Sequence, residues 1–306
     1  MKTVTLHCGG AQASIVPDMG ANCISLHVGD ADMLRTPACG ADFAEAPTVY
    51  GIPLLFPPNR IAGGHFRFRD RDYELPVNEP SRQCHLHGFL CQTPFDILAA
   101  DDHRLICRYA ATAERPYSTF PHAFTVERSW SLTERSLTQT LTIRNDGDTP
   151  MPLGVGFHTS LNVCFLQGDQ DPDHYRLRMS AAEEIVCDKA TILPTGERRR
   201  DTNLLRALNG AGIKPQGTPL SRHMTRGAGG AELIHTPDGR RVRFTVSDDL
   251  PYWMVWNRDG ASGFICPEPQ SWIINAPNLS QDRSVSGFRA LEGVGTASFV
   301  LSLTLA

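Results

Sequence analysis

Apolar and polar residues in this chain alternate with a period of two far more often than they recur every three or four positions. Val4-Thr5-Leu6-His7-Cys8 and His65-Phe66-Arg67-Phe68-Arg69 alternate in this way, the pattern of strands that turn one face to a core. Two pairs of runs read as hairpins. Phe95 to Ala99 and Leu105 to Ala110 flank Asp101-Asp102-His103, while Phe124 to Leu132 and Leu137 to Ile143 flank Thr133-Glu134-Arg135-Ser136. Further runs lie at Tyr175 to Met179, Val242 to Val246, Trp253 to Trp256, Gly263 to Cys266 and Ser298 to Leu305. Short strands spaced about 8–12 residues apart predict an all-β antiparallel fold, a sandwich or a barrel. Leu204 to Leu208 predicts one short helical turn, and the Gly- and Pro-rich stretch from Gly210 to Gly230 predicts a loop. The strand pattern is the same on both sides of that stretch, so residues 1–306 are expected to form one domain.

Composition narrows the class. A chain of 306 residues with 41% hydrophobic content can build a sizeable core, which excludes a disordered or fibrous protein. The net charge of -4 argues against nucleic acid or an anionic membrane as the main partner. Only Lys2, Lys189 and Lys214 are lysines among the 29 basic residues, but the arginines are spread along the whole chain and mark no patch. The 9 cysteines are odd in number, irregularly spaced and without a C-x-x-C pair, so reduced thiols are expected rather than disulfides or a zinc finger. The N-terminal stretch lacks an apolar signal core, and no apolar run approaches the roughly 18 residues that span a bilayer. A cytoplasmic protein is the expectation.

Four stretches carry chemistry. Phe56-Pro57-Pro58-Asn59-Arg60-Ile61-Ala62-Gly63-Gly64 is a constrained loop that presents an amide and a guanidinium, groups suited to vicinal hydroxyls or a carboxylate. His85-Leu86-His87-Gly88 would put both imidazoles on one face of a strand, either as metal ligands or as hydrogen-bonding groups in a polar core. His158 interrupts a run of apolar and small residues, as a satisfied core histidine or as an imidazole tuned by burial for proton transfer. Glu268 follows an apolar strand and sits between Pro267 and Pro269, a rigid setting for a general base or an ordinary turn glutamate.

In this order, these stretches resemble the aldose 1-epimerase (galactose mutarotase-like) family over about residues 50 to 280. The matching pieces are Asn59-Arg60-Ile61 with Gly64 and Phe66, Tyr73-Glu74-Leu75 with Asn78, Leu86-His87-Gly88, Gly156-Phe157-His158, Cys266-Pro267-Glu268-Pro269-Gln270 and Asn275-Ala276-Pro277-Asn278. The resemblance implies a large antiparallel two-sheet β-sandwich and interconversion of the α and β anomers of a free aldose. It assigns Glu268 as catalytic base, His158 as catalytic acid, and Asn59, Arg60 and His87 as sugar-binding residues, with no metal or organic cofactor. The acid and base are expected on opposite sides of a small-molecule sugar bound by a monomer or homodimer. The chain departs from the family pattern in three places. His158 is followed by Thr159-Ser160-Leu161 in place of Pro-Tyr-Phe, Arg222 stands where a sugar-binding Asp is expected, and Met254 stands where the family has Gln. Arg82 and Arg222 would be the sources of positive charge for a hexose-6-phosphate substrate. A non-catalytic sugar-binding protein would have lost Glu268 or His158, and both are present.

Overall fold

The computed structural model describes residues 2–306. Among these, 14 strands join in one large sheet and four more, Val4–Cys8, Ala11–Val16, Asn22–Val28 and Ala31–Asp32, form a separate antiparallel sheet. The predicted hairpins are present as Asp96–Ala100 with Arg104–Ala111 and Phe124–Leu132 with Ser136–Asn145. The order continues through Thr296–Leu305, Arg241–Val246, Ser221–His235, Tyr252–Trp256 and Phe264–Gln270. Three two-stranded pairs complete the set, one of them Arg60–Ala62 with Cys84–Leu86. One extensive core cluster draws residues from Leu6 to Leu305, which explains why most of the long strands alternate. The fold is the expected antiparallel β architecture. Among the described residues, no helix is long and apolar enough to cross a membrane.

The Gly210–Gly230 expectation holds only in part. Asn203–Asn209 is a helix capped by the Thr202 side chain, and a loop follows it, but Ser221–His235 is a continuous 15-residue strand. That strand joins two runs of the sheet. Its C-terminal half pairs with Arg241–Val246, its N-terminal half with Tyr252–Trp256, and Tyr175–Cys187 pairs along it through two register shifts. The glycines that suggested a loop permit close packing instead. A Cβ at Gly230 would lie 2.1 Å from the Phe244 carbonyl oxygen, and one at Gly227 would lie 2.4 Å from Ser180 Oγ.

The N-terminal sheet is fastened to the large one by polar side chains inside the core. Arg128, fully buried, donates to the carbonyl oxygens of Gly20 and Ile52 and to Gln139 Oε1. Asn22 donates to the Tyr50 carbonyl and accepts from the Ile52 amide. Together these bonds fix the residues that lead into Asn59 and Arg60. Removing either partner would leave buried carbonyls unpaired.

Gly230→Ala is expected to lose about 1–3 kcal/mol of stability through overpacking against the Phe244 carbonyl. Gly10→Ala, where an added Cβ meets nothing within 4 Å, should be nearly neutral. Urea unfolding of the two variants compares them directly, and equal midpoints would contradict the close approach.

Candidate active site

Glu268 lies inside a strand, not after one. Phe264–Gln270 runs through both prolines, and its ladder with Tyr252–Trp256 sets Met254 opposite Glu268. Prolines are rare in strand interiors because they lack an N–H. Here Pro267 and Pro269 are two residues apart and occupy the non-hydrogen-bonded pairs, which leaves the backbone of Glu268 free to bond to Met254. On the other edge the strand is paired only at its ends. Gly156 faces Gln270, while Leu161 and Asn162 face Ile265 and Phe264. Both ends share one register, and that register puts His158 opposite Glu268.

Cross-strand partners share a face, so the two side chains meet. His158 Nε2 lies 3.2 Å from Glu268 Oε1, and both residues are buried. The expectation that acid and base flank the sugar from opposite sides is therefore corrected: they stand side by side. Gln270, on the same face, donates from Nε2 to Glu268 Oε2 at 3.3 Å. Burial drives the Glu268 carboxyl well above its ordinary pKa, with the Gln270 hydrogen bond and the Arg60 charge acting the other way. Burial also pulls the His158 imidazole down to about 4.

His87 ends the Cys84–Leu86 strand with a left-handed backbone, and its amide donates to the Asn59 carbonyl. Its ring packs edge-on against His158 with centroids 5.5 Å apart. Burial, followed by the charges of His158 and Arg60, holds it well below the ordinary histidine range. Gly88 follows because a Cβ there would sit 1.8 Å from the Phe56 carbonyl oxygen. The strand ends at Leu86, so the two histidines do not share a face. His85 contacts the Pro76 carbonyl through Nδ1 and packs on Phe89, and it does not join the His158 cluster. This removes His85 from the catalytic metal set that the His-x-His spacing raised.

Asn59 is buried in the left-handed conformation that asparagine tolerates better than most residues. Its Oδ1 accepts from Arg60 Nη1 at 3.3 Å. Arg60 also grips Glu79 with two bonds, Nε to Oε2 at 2.6 Å and Nη2 to Oε1 at 2.7 Å. Two of its five N–H donors stay uncommitted and available to a ligand. Burial would raise the Glu79 pKa, but Arg60 and Arg82 outweigh it and hold the carboxylate below its usual range. Two matched asparagines buttress this corner. Asn78 accepts from the Leu86 amide and donates to the Leu86 carbonyl. Asn275 Oδ1 accepts from the Ala62 amide, while the Asn275 amide donates to the Arg60 carbonyl.

Four residues of this face had no firm role in the sequence. Glu79 carried no signal, because a lone glutamate in a loop does not announce its partner. Gln270 was part of a matched stretch without a role of its own. Trp256 lies in the same run as Trp253, but the two point to opposite faces. Trp253 is core and bonds the Ser180 carbonyl, whereas Trp256 packs edge-on to His158 at 5.3 Å. His223 lies in register with Met254, and so in one row with Glu268, two inter-strand spacings or about 10 Å away. Its Nδ1 donates to the Trp253 carbonyl at 3.2 Å, which leaves Nε2 a buried acceptor without a partner. Arg222, one residue earlier, belongs to the opposite face and approaches Glu184 at 3.5 Å. Arg82 is bound to Glu79 at 2.9 Å. Arg82 thus stands beside the Arg60–Glu79 pair, while half-exposed Arg222 lines a cavity together with His223 and Met254.

The aldose 1-epimerase family model matches residues 2–291, and the chain belongs to that family. The structure superposes on a galactose mutarotase-like protein from Clostridium acetobutylicum with a TM-score of 0.93 at 31% identity, covering 99% of this chain and 95% of that one. An aldose epimerase homologue from C. elegans shares the fold with a TM-score of 0.79 at 17% identity, covering 100% of this chain and 98% of that one. Among curated relatives, the uncharacterized protein YihR of Escherichia coli K12 is 29% identical over 199 residues, 62% of this chain and 61% of YihR. The uncharacterized protein YphB is 27% identical over 107 residues, 35% of each. The chain therefore spans about three fifths and one third of these two relatives.

The raised Glu268 carboxyl makes a stability prediction. Its folded pKa lies above the unfolded value of about 4.3, so the folded state keeps a proton that the unfolded chain releases. That contribution is full below the unfolded pKa and is lost as pH rises through the folded one. Glu268→Gln, which has no proton to lose, should be more stable than wild type by about 0.5–2 kcal/mol at pH 8 and by less at pH 5. Thermal unfolding at the two pH values measures this, and a gap that shrinks with rising pH would contradict the assignment.

Proposed function

We propose that the protein is a mutarotase that interconverts the α and β anomers of a free aldose. One observation carries the reading. Around the His158–Glu268 contact, His158 Nδ1, His87 Nδ1, Gln270 Oε1 and His223 Nε2 are all buried without a hydrogen-bond partner. Native proteins rarely leave such atoms unpaired, and a polyhydroxylated ligand offers donors and acceptors to match them.

The chemistry follows from a single shared proton. Anomerisation removes a proton from O1 and delivers one to the ring oxygen, and both oxygens are bonded to C1. Two groups side by side suit two oxygens on one carbon, which is why adjacency serves better than opposition. With the sugar bound, the shared proton passes across the 3.2 Å contact from Glu268 to His158; Glu268, now a carboxylate, accepts the O1 proton, and His158, now an imidazolium, protonates the ring oxygen. The C1–O5 bond breaks, the aldehyde rotates about C1–C2, and the ring closes on the other face with the roles reversed. General acid–base catalysis of this kind supplies about 10²–10⁴-fold. Arg60 and His87 donate to hydroxyls and to the ring oxygen, and water exclusion strengthens each contact. Asn59 and Glu79 hold the Arg60 fork in place. No step calls for a metal or an organic cofactor.

Glu268→Gln and His158→Asn should each lower the rate of anomer interconversion at least about 100-fold while circular dichroism stays unchanged. Polarimetry of freshly dissolved α-glucose and α-galactose measures this, and a near wild-type rate in either variant would overturn the roles. NMR anomeric exchange across a panel of free and phosphorylated aldoses identifies the substrate, and acceleration of none of them would sink the catalytic reading. Glu79→Gln should raise KM about tenfold with a smaller change in kcat, because it loosens a group that binds rather than reacts. An unchanged KM would show that the Arg60–Glu79 pair has no part in binding.

A further inference from the structure

A second chemical cluster lies at the far end of the strand that carries His223. Tyr175 and His235 are a cross-strand pair, so His174, in the turn just before Tyr175, is brought beside His235. Thr236 fixes this arrangement by donating its amide and hydroxyl to the His174 carbonyl at 2.7 and 2.9 Å. Both imidazoles converge on one oxygen: Asp169 Oδ2 lies 2.6 Å from His174 Nδ1 and 2.9 Å from His235 Nε2. The other oxygen, Oδ1, is occupied by the Asp171 amide at 2.9 Å.

We propose that Asp169, His174 and His235 form a binding site for one divalent transition-metal ion of the zinc class. Three features support it. The ligand atoms lie within 4.8 Å of one another, so an ion about 2.1 Å from each requires shifts of about an ångström or less. Two imidazole nitrogens and one carboxylate oxygen are a donor set that suits zinc, cobalt and nickel better than magnesium or calcium. The second ring nitrogen of His235 is held by Asp238 Oδ1 at 2.6 Å, and Arg240 in turn bonds Asp238. A carboxylate behind a liganding histidine is the arrangement that fixes its tautomer and raises its basicity. Asp171, with Oδ2 3.7 Å from His174 Nε2, adds negative potential.

The site shares no residue with the His158–Glu268 centre. His235 is the last residue of the 15-residue strand and His223 is the third. The ion therefore acts as a clasp between the Asp169–His174 loop and the strand end, outside the chemistry of the sugar. Asp169 is already tied there, since its carbonyl accepts from the Tyr175 hydroxyl.

Isothermal titration of the chelator-treated full chain with ZnCl2 at pH 7.5 tests this. One Zn²⁺ per chain with micromolar or tighter affinity is expected, weakening at pH 5.5 as protons compete for the imidazoles. His174→Gln, at a half-exposed position, and Asp169→Asn should each weaken binding at least about tenfold. Asp238→Asn should weaken it by about 10–100-fold through loss of the orienting carboxylate. Zinc should raise the Tm of wild type but not of His174→Gln. His174→Gln should interconvert anomers at the wild-type rate, which separates this site from the catalytic one. Absence of stoichiometric binding at 100 micromolar ZnCl2, or binding undiminished in both His174→Gln and Asp169→Asn, would overturn the proposal.

Discussion

The site depends on one register. Gly156 facing Gln270 at one end and Leu161 facing Ile265 at the other fix the same antiparallel alignment, and the unpaired stretch between them holds His158 against Glu268. A slip of one residue would turn His158 to the other face, because side chains in a strand alternate. Prolines on either side of Glu268 reinforce the alignment by limiting which residues can enter the ladder. A 3.2 Å contact between two buried ionisable groups is the product of sheet geometry before it is a matter of chemistry.

Holding such a contact away from water has a thermodynamic cost, and the surroundings carry it. Burial disfavours the charge on either group, so the pair favours a shared proton over a separated ion pair. The support is rigid: Asn78 clamps Leu86, Asn275 at a helix start grips the Arg60–Ala62 strand at both ends, and Gly88 admits the Phe56 carbonyl. Arg60, with Glu79 behind it, brings a fixed positive charge to the same corner. These bonds are made before any ligand arrives, which is the meaning of preorganisation here. Glu79 and the asparagines fix where Arg60 and His87 stand.

Much of this was legible in the chain. Alternation with a period of two identified the hairpins at Asp96–Ala111 and Phe124–Asn145, because one buried face leaves a direct mark on composition. Asn59, Arg60, His87, His158 and Glu268 were singled out from turn residues and isolated polar groups in apolar runs, and the structure gathers them around one corner. Other features were read less well. Gly227, Gly229 and Gly230 look like a loop but form part of a strand, since a glycine that admits a neighbouring backbone is indistinguishable in sequence from one that turns. His85 shares a motif with His87, but the left-handed backbone at His87 breaks the two-residue alternation that would have aligned them.

The sequence by itself determined the class of fold and the family, and it singled out His158 and Glu268, because periodicity, composition and local motifs are properties of neighbouring residues. Only the tertiary structure decided which groups touch. The Arg60–Glu79 fork spans 19 positions, His158 and Glu268 are brought together across 110, and Asp169 meets His235 across 66. It also put His223, not Arg222, in the row with Glu268, a distinction of one residue that depends on strand register alone. Contacts of this kind arise when distant segments share a sheet, and no local pattern encodes the partner.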